Sequence, residues 1–171
     1  MNTRTRLVLS TVLVAGAVAL SGCSILQSFV QTSQPVRDAG TGEVTEQVDN
    51  GDVFSIRMGD CLNSTEGNGT EEELSSIPIV PCGEPHEDEV YSSFQLTGTD
   101  YPGEDAILDQ VESTCLPDFD AFVGLQYEQS TLDFWPMYPT TMSWDQGDRE
   151  VICAVYDPAG KVTGTLEGAK R

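Results

Sequence analysis

Five cysteines, at positions 23, 61, 82, 115 and 153, follow an N-terminus that reads as an export signal, and this combination constrains the fold most. Met1–Arg6 carries Arg4 and Arg6 and no acid, and Leu7–Leu20 contains only Leu, Val, Ala, Gly, Ser and Thr. That is the pattern of a secretory signal peptide. Its fourteen apolar and small residues would reach roughly 21 Å as a helix, short of the roughly 30 Å hydrocarbon core, so the segment reads as cleaved. Export places the remaining thiols where they oxidise in pairs. The C-x-x-C spacing of redox enzymes and the paired short spacings of zinc sites are both missing, which leaves covalent bracing as the role of these residues.

Leu20-Ser21-Gly22-Cys23 resembles the lipobox of bacterial lipoproteins: an aliphatic residue, two small ones and a cysteine. The resemblance implies cleavage between Gly22 and Cys23, a diacylglyceryl group on the Cys23 thiol, and a new amino group open to acylation. Two acyl chains, at about 0.8 kcal/mol per buried methylene, anchor a protein stably where one is marginal. The expected location is the extracytoplasmic face of the cell membrane, reached through the lipid anchor. Ser24–Asn50 is rich in Ser, Gln, Thr, Gly and Glu, with apolar residues clustered early at Ile25, Leu26, Phe29 and Val30. It reads as a flexible tether with an r.m.s. span of roughly 26 to 31 Å. The expected organisation is therefore a cleaved signal (1–22), a lipidated N-terminus and tether (23–50), a folded domain (51–166) and a short tail (167–171).

The chain has 28 Asp and Glu against 8 Lys and Arg, a net charge of -20. Loss of residues 1–22 removes two arginines and no acid, which leaves 6 basic residues against 28 acidic ones. Such a surface repels phosphate backbones and anionic membranes alike, so nucleic acid is excluded as a partner. An apolar content of 39% still provides for one compact core.

With Cys23 assigned to lipid, an even set of four remains, and three connectivities are open to it. Cys61 with Cys82 and Cys115 with Cys153 join neighbouring elements without crossing, and these are the expected pairs. The chain-entropy model gives them roughly 3.4 and 3.9 kcal/mol. Alternation predicts a first strand over Phe54–Met58, a second at Ile77–Val80 with Pro78 marking an edge, and a third over Glu89–Leu96 with a bulge at its serines. Ile107, Leu108, Val111 and Cys115 predict a helix over Gly103–Cys115, followed by a second short helical turn from Pro117. Val151–Tyr156 is the strongest strand, and Val162–Leu166 offers a last one. The expected fold is a small α+β domain: a mostly antiparallel sheet with one main helix and a short second helical turn, stapled by two disulfides.

Taken together, Gly59-Asp60-Cys61, Val80-Pro81-Cys82-x-Glu84-Pro85-His86-x-x-Glu89-Val90, Cys115, Pro139 and Trp144-x-x-Gly147-Asp148-Arg149-x-x-x-Cys153 resemble the septum formation domain family. The resemblance covers about residues 52 to 157. It implies a membrane-anchored or lipoprotein component of an actinobacterial envelope, associated with cell division, and it implies no reaction.

His86 is the one histidine, set among Glu84, Glu87, Asp88 and Glu89. An imidazole beside carboxylates could bind a cation or serve a hydrolase, although such a charge run is more often a solvated turn. Trp135, Tyr138 and Trp144 could form a stacking platform for sugar or peptide, or core. Asp145 and Asp148 lack the ladder of a calcium loop, and Arg149 is expected to pair with a nearby acid. No Gly-x-Ser-x-Gly turn occurs. The expectation is a non-enzymatic protein without catalytic residues, metal or cofactor, whose candidate binding residues are His86, Glu84, Glu89, Trp144 and Arg149. Its expected partner is an envelope or division protein, with a cation or cell-wall fragment as the alternative ligand.

Overall fold

The computed structural model describes residues 33–66, 68–70 and 73–171, so the segment read as an export signal, Cys23 and the first part of the expected tether lie outside the described residues. Among the described residues, seven strands form one curled antiparallel sheet: β1 (Val48–Asp52), β2 (Cys61–Leu62), β3 (Asn68–Thr70), β4 (Glu73–Val80), β5 (Asp88–Gln95), β6 (Asp133–Met137) and β7 (Glu150–Tyr156). Six follow the order β1-β4-β2-β5-β7-β6, and β3 pairs with β4 off that path. The short β2 splices two halves together, with Cys61 opposite Val80 on one side and Glu89 on the other. Beyond this splice β4 pairs with β1 and β3, while β5 pairs with β7.

The main helix α1 (Glu104–Val123) packs across β5 and β7. Ile107, Val111, Cys115, Phe119 and Val123 are all buried, a stripe stepping by four residues that runs the whole length of the helix. This stripe explains why the helix does not stop at Cys115. Pro117 is exposed and removes one backbone donor, but Phe119 and Val123 continue the apolar face on its far side, so the helix runs through it. Glu104 and Asp105 favour its positive N-terminal end, and Gly124, at φ 76°, ends it in the left-handed conformation that glycine adopts most easily. The second helical turn expected from Pro117 is therefore the end of α1, and the short second helix is instead α2 (Thr141–Asp145), where Thr140 and Ser143 make reciprocal capping hydrogen bonds.

Both expected disulfides are present, Cys61–Cys82 and Cys115–Cys153. The second fastens α1 to β7 inside the core, and both of its cysteines are fully buried. On the same side, Tyr91 occupies an extra position in β5: Val90 pairs with Ala154 and Ser92 with Cys153. This bulge turns both Tyr91 and Ser92 toward α1. The Tyr91 hydroxyl donates to Cys115 O at 3.0 Å, and Ser92 Oγ donates to Asp118 at 2.5 Å. A second cluster, formed by Val44, Ile56, Leu62, Ile77, Ile79, Val90 and Ile152, lies apart from the helix cluster, with Trp135 and Met137 partly covering it.

Three further sequence expectations change. Phe54–Met58 is not a strand: Val53–Ser55 forms a 3-10 turn because Asp52 accepts from Phe54 N and its carbonyl accepts from Ser55 Oγ. That turn leaves Phe54 69% exposed. Pro78 does not mark an edge, because β4 lies between β1 and β2; the β1 register shifts between Val48 and Gly51, opposite Ile79 and Ile77, and this bulge lies across from the residue that cannot donate. Val162–Leu166 adds no strand, and Val162 makes a single bridge to His86.

The folded unit also begins earlier in the chain than composition suggests. Ser33 bridges Gly51, Val44 is buried, and Arg37 forms a two-pronged ion pair with Asp60 at 2.6 and 2.7 Å. Residues 33–50 thus belong to the folded unit, because this charge pair and Val44 fasten them to it.

Candidate functional site

Two clefts adjoin the second cluster and share Ser64 and Trp135. The smaller, about 410 Å³, lies between Thr65, Glu87, Asp88, Trp135 and Tyr156 and the turn Asp157–Lys161. The larger, about 780 Å³, is lined by Val53, Phe54 and Leu74 from one half of the sheet, and by Tyr101, Ile152 and residues 135–141 from the other. Both volumes fall within the range of small-ligand and peptide sites.

Trp135 stands where the clefts meet, and the sheet itself dictates its position. It lies on the edge strand β6 opposite Ala154. Its indole Nε1 donates to Asp88 Oδ1 at 2.6 Å, across the intervening strand β7. Asp88 Oδ2 accepts from Ser64 N at 3.2 Å. Asp88 is only 2% exposed, and burial pushes its carboxyl above the usual range while the hydrogen bonds from Ser64 and Trp135 pull it back. Both its oxygens are engaged. It therefore fixes the ring rather than standing ready to move a proton to or from a ligand.

The neighbouring acids are held as well. Glu87 accepts from Thr65 N at 2.8 Å and also from the Thr65 hydroxyl. Asp157 accepts from Ala159 N and from Arg171, and these partners keep its carboxyl below the ordinary range. Tyr127, hydrogen-bonded to Asp133 at 2.7 Å, is pushed up to about 12. In the larger cleft Tyr138 donates to Glu104 at 2.9 Å, and Asp148 accepts from Ser143 Oγ at 2.9 Å. The result is an aromatic floor with an acidic rim, shaped in advance by hydrogen bonds.

The five candidate binding residues, His86, Glu84, Glu89, Trp144 and Arg149, fall into two groups, and neither lines these clefts. His86 is fully buried; its Nδ1 donates to Glu84 O at 2.8 Å, and its backbone exchanges two hydrogen bonds with Val162. Glu89 is buried and accepts from Thr165 Oγ1 at 2.7 Å and from Leu166 N at 2.6 Å. These residues fasten the C-terminal segment to β5. Trp144 is buried, its Nε1 donates to Thr99 O at 3.0 Å, and the Arg149 guanidinium sits 3.6 Å above its ring while also donating to Trp144 O. Arg149 thus covers the face that a sugar or peptide would need.

Of the aromatic trio read from sequence, Trp135 and Tyr138 line the clefts and Trp144 does not. The sequence reading took Asp88 only as one carboxylate of the run around His86, where a solvated side chain is the ordinary expectation, and so missed its hold on Trp135. Among the described residues, no group of three or more His, Cys, Asp or Glu is placed to hold a metal ion, and no helix is long and apolar enough to cross a membrane. Residues 27–169 match the family model described as septum formation. No curated protein and no solved structure matches the chain.

Proposed function

The chain belongs to the septum formation family, and from that membership we propose that it is a non-enzymatic, lipid-anchored interaction module of the cell envelope that serves cell division. The observation that carries this reading is the preformed groove around Trp135, whose ring is locked by a buried carboxylate with both oxygens engaged. Such a surface can recognise a partner, and it offers no activated nucleophile or free acid–base pair. A hydrolase centred on His86 finds no support, since that ring is buried and lies outside both clefts.

The anchor rests on Leu20-Ser21-Gly22-Cys23. Cys23→Ser should move the protein from the membrane fraction to the soluble fraction, and unchanged partitioning in detergent-free buffer would sink the anchor. Proximity labelling in intact cells should enrich division or wall-synthesis proteins around the anchored form and not the Cys23→Ser form. Identical neighbours for the two forms would count against a localised module.

A further inference from the structure

We infer that the groove on either side of Trp135 docks a proline-rich, basic segment of a partner protein, an inference that rests on the interaction reading above. The first argument is the floor. Phe54, Tyr101, Trp135, Met137 and Tyr138 all line the larger cleft. Phe54 is 69% exposed, held outward by the Asp52-capped turn rather than by packing. Spaced aromatic side chains of this kind accept the ridges of a polyproline helix, which enters already extended and so loses little entropy on binding.

The second argument is the edge. Trp135 and Met137 lie on β6, the outermost strand of its half of the sheet, and Pro136 sits between them. Pro136 has no N–H, so this border is interrupted as a template for an added β-strand. The ligand must be read through its side chains.

The third argument is charge. Glu87 lines the smaller cleft and Glu104, Asp148 and Glu150 the larger, and Lys161 is the one cationic residue in either lining; Asp88 is buried and Asp157 is paired with Arg171, so the charge of the rim rests on the other four acids. Arg and Lys side chains on the ligand complement this rim, whereas the free carboxylates of a cell-wall stem peptide would be repelled.

The test uses the mature chain carrying Cys23→Ser, with both disulfides formed, and a labelled peptide of about fifteen residues repeating Pro-Pro-Arg. Fluorescence anisotropy at about 150 mM salt should show saturable binding. Phe54→Ala and Glu150→Gln should each weaken it about fivefold with an unchanged circular dichroism spectrum, and a Gly-Ser-Arg repeat of equal length should bind at least about tenfold more weakly. Equal binding of the Gly-Ser-Arg repeat, or no effect of either variant, would reduce the contact to charge attraction and overturn the inference. Stronger binding of chitohexaose than of the peptide would overturn it in favour of a sugar platform.

Photo-cross-linking in cells separates this inference from the reading beneath it. Adducts from a probe at position 54 whose cross-linked peptide is proline-rich and basic support the groove, and adducts there with peptides of other composition overturn it. Adducts only from position 108, where Leu108 is exposed on α1, refute the groove and leave the interaction module standing; adducts from neither refute both.

Discussion

The indole of Trp135 donates to the carboxylate of Asp88 at 2.6 Å across 47 residues of sequence, linking the edge strand β6 to β5 over the strand between them. Removing the acceptor in Asp88→Ala strands the Trp135 donor and the Ser64 amide, and should cost about 1 to 3 kcal/mol in urea unfolding. Asp88→Asn keeps an acceptor for the indole and should cost less.

The same carboxyl gives a pH dependence of defined sign. Burial raises its pKa in the folded state, so the folded chain holds this proton more tightly than the unfolded chain does. Its contribution is therefore most favourable below the ordinary carboxylate range and declines as pH rises through the raised value. Asp88→Asn should gain stability relative to the parent between about pH 4 and pH 7, read from urea midpoints at each pH. A constant difference across that window would show that the carboxyl ionises as freely in the fold as out of it.

Arg37 carries the segment before β1. Its guanidinium meets both oxygens of Asp60, which is only 3% exposed, and also donates to Ser55 O at 3.0 Å. Arg37→Met leaves a buried carboxylate without its cation and should destabilise the domain by about 3 kcal/mol. Limited proteolysis should then cut between residues 33 and 47 faster than in the parent. If cleavage there is already fast in the parent, the segment is a tether after all.

The two disulfides should open in a fixed order under a reductant. Cys82 is partly exposed, whereas Cys115 and Cys153 are both fully buried. Thiolate attack needs access to a sulfur, so graded dithiothreitol followed by alkylation and mass spectrometry should label Cys61 and Cys82 first. Replacing Cys115 and Cys153 together by Ala should cost about 2 to 4 kcal/mol, because their closure spans the longer loop, with a sequence separation of 38.

What could be read from the chain was what repeats locally or is fixed by covalent chemistry. The cysteine pairs, the β7 run from Val151 to Tyr156 and the start of α1 all announced themselves. The exposed Phe54 did not, because Phe54–Met58 alternates like a strand until Asp52 captures its first amide. The groove was legible only in its aromatics: Trp135 and Tyr138 stand out, but nothing local announces that Asp88 holds one of them. The same holds for Arg37 and Asp60, a contact made across 23 residues.

Pro117 gives the sharpest disagreement between local preference and tertiary structure. It sits in the interior of α1, exposed, two residues past Cys115 and two before Phe119. A proline in a helix interior is about 3 kcal/mol less favourable than alanine, and an exposed one returns no burial in exchange. Pro117→Ala restores the missing backbone donor and should raise stability by about 1 to 2 kcal/mol, the difference being the extra freedom that alanine gives the unfolded chain. In a thermal melt that gain corresponds to an increase of roughly 2 to 8 °C in Tm. The neighbouring Asp118 accepts from Ser92 on the β5 bulge at 2.5 Å. If Pro117→Ala lowered Tm instead, the proline would be setting the helix path that brings Asp118 to Ser92, and Ser92→Ala in the same background would then produce no further loss.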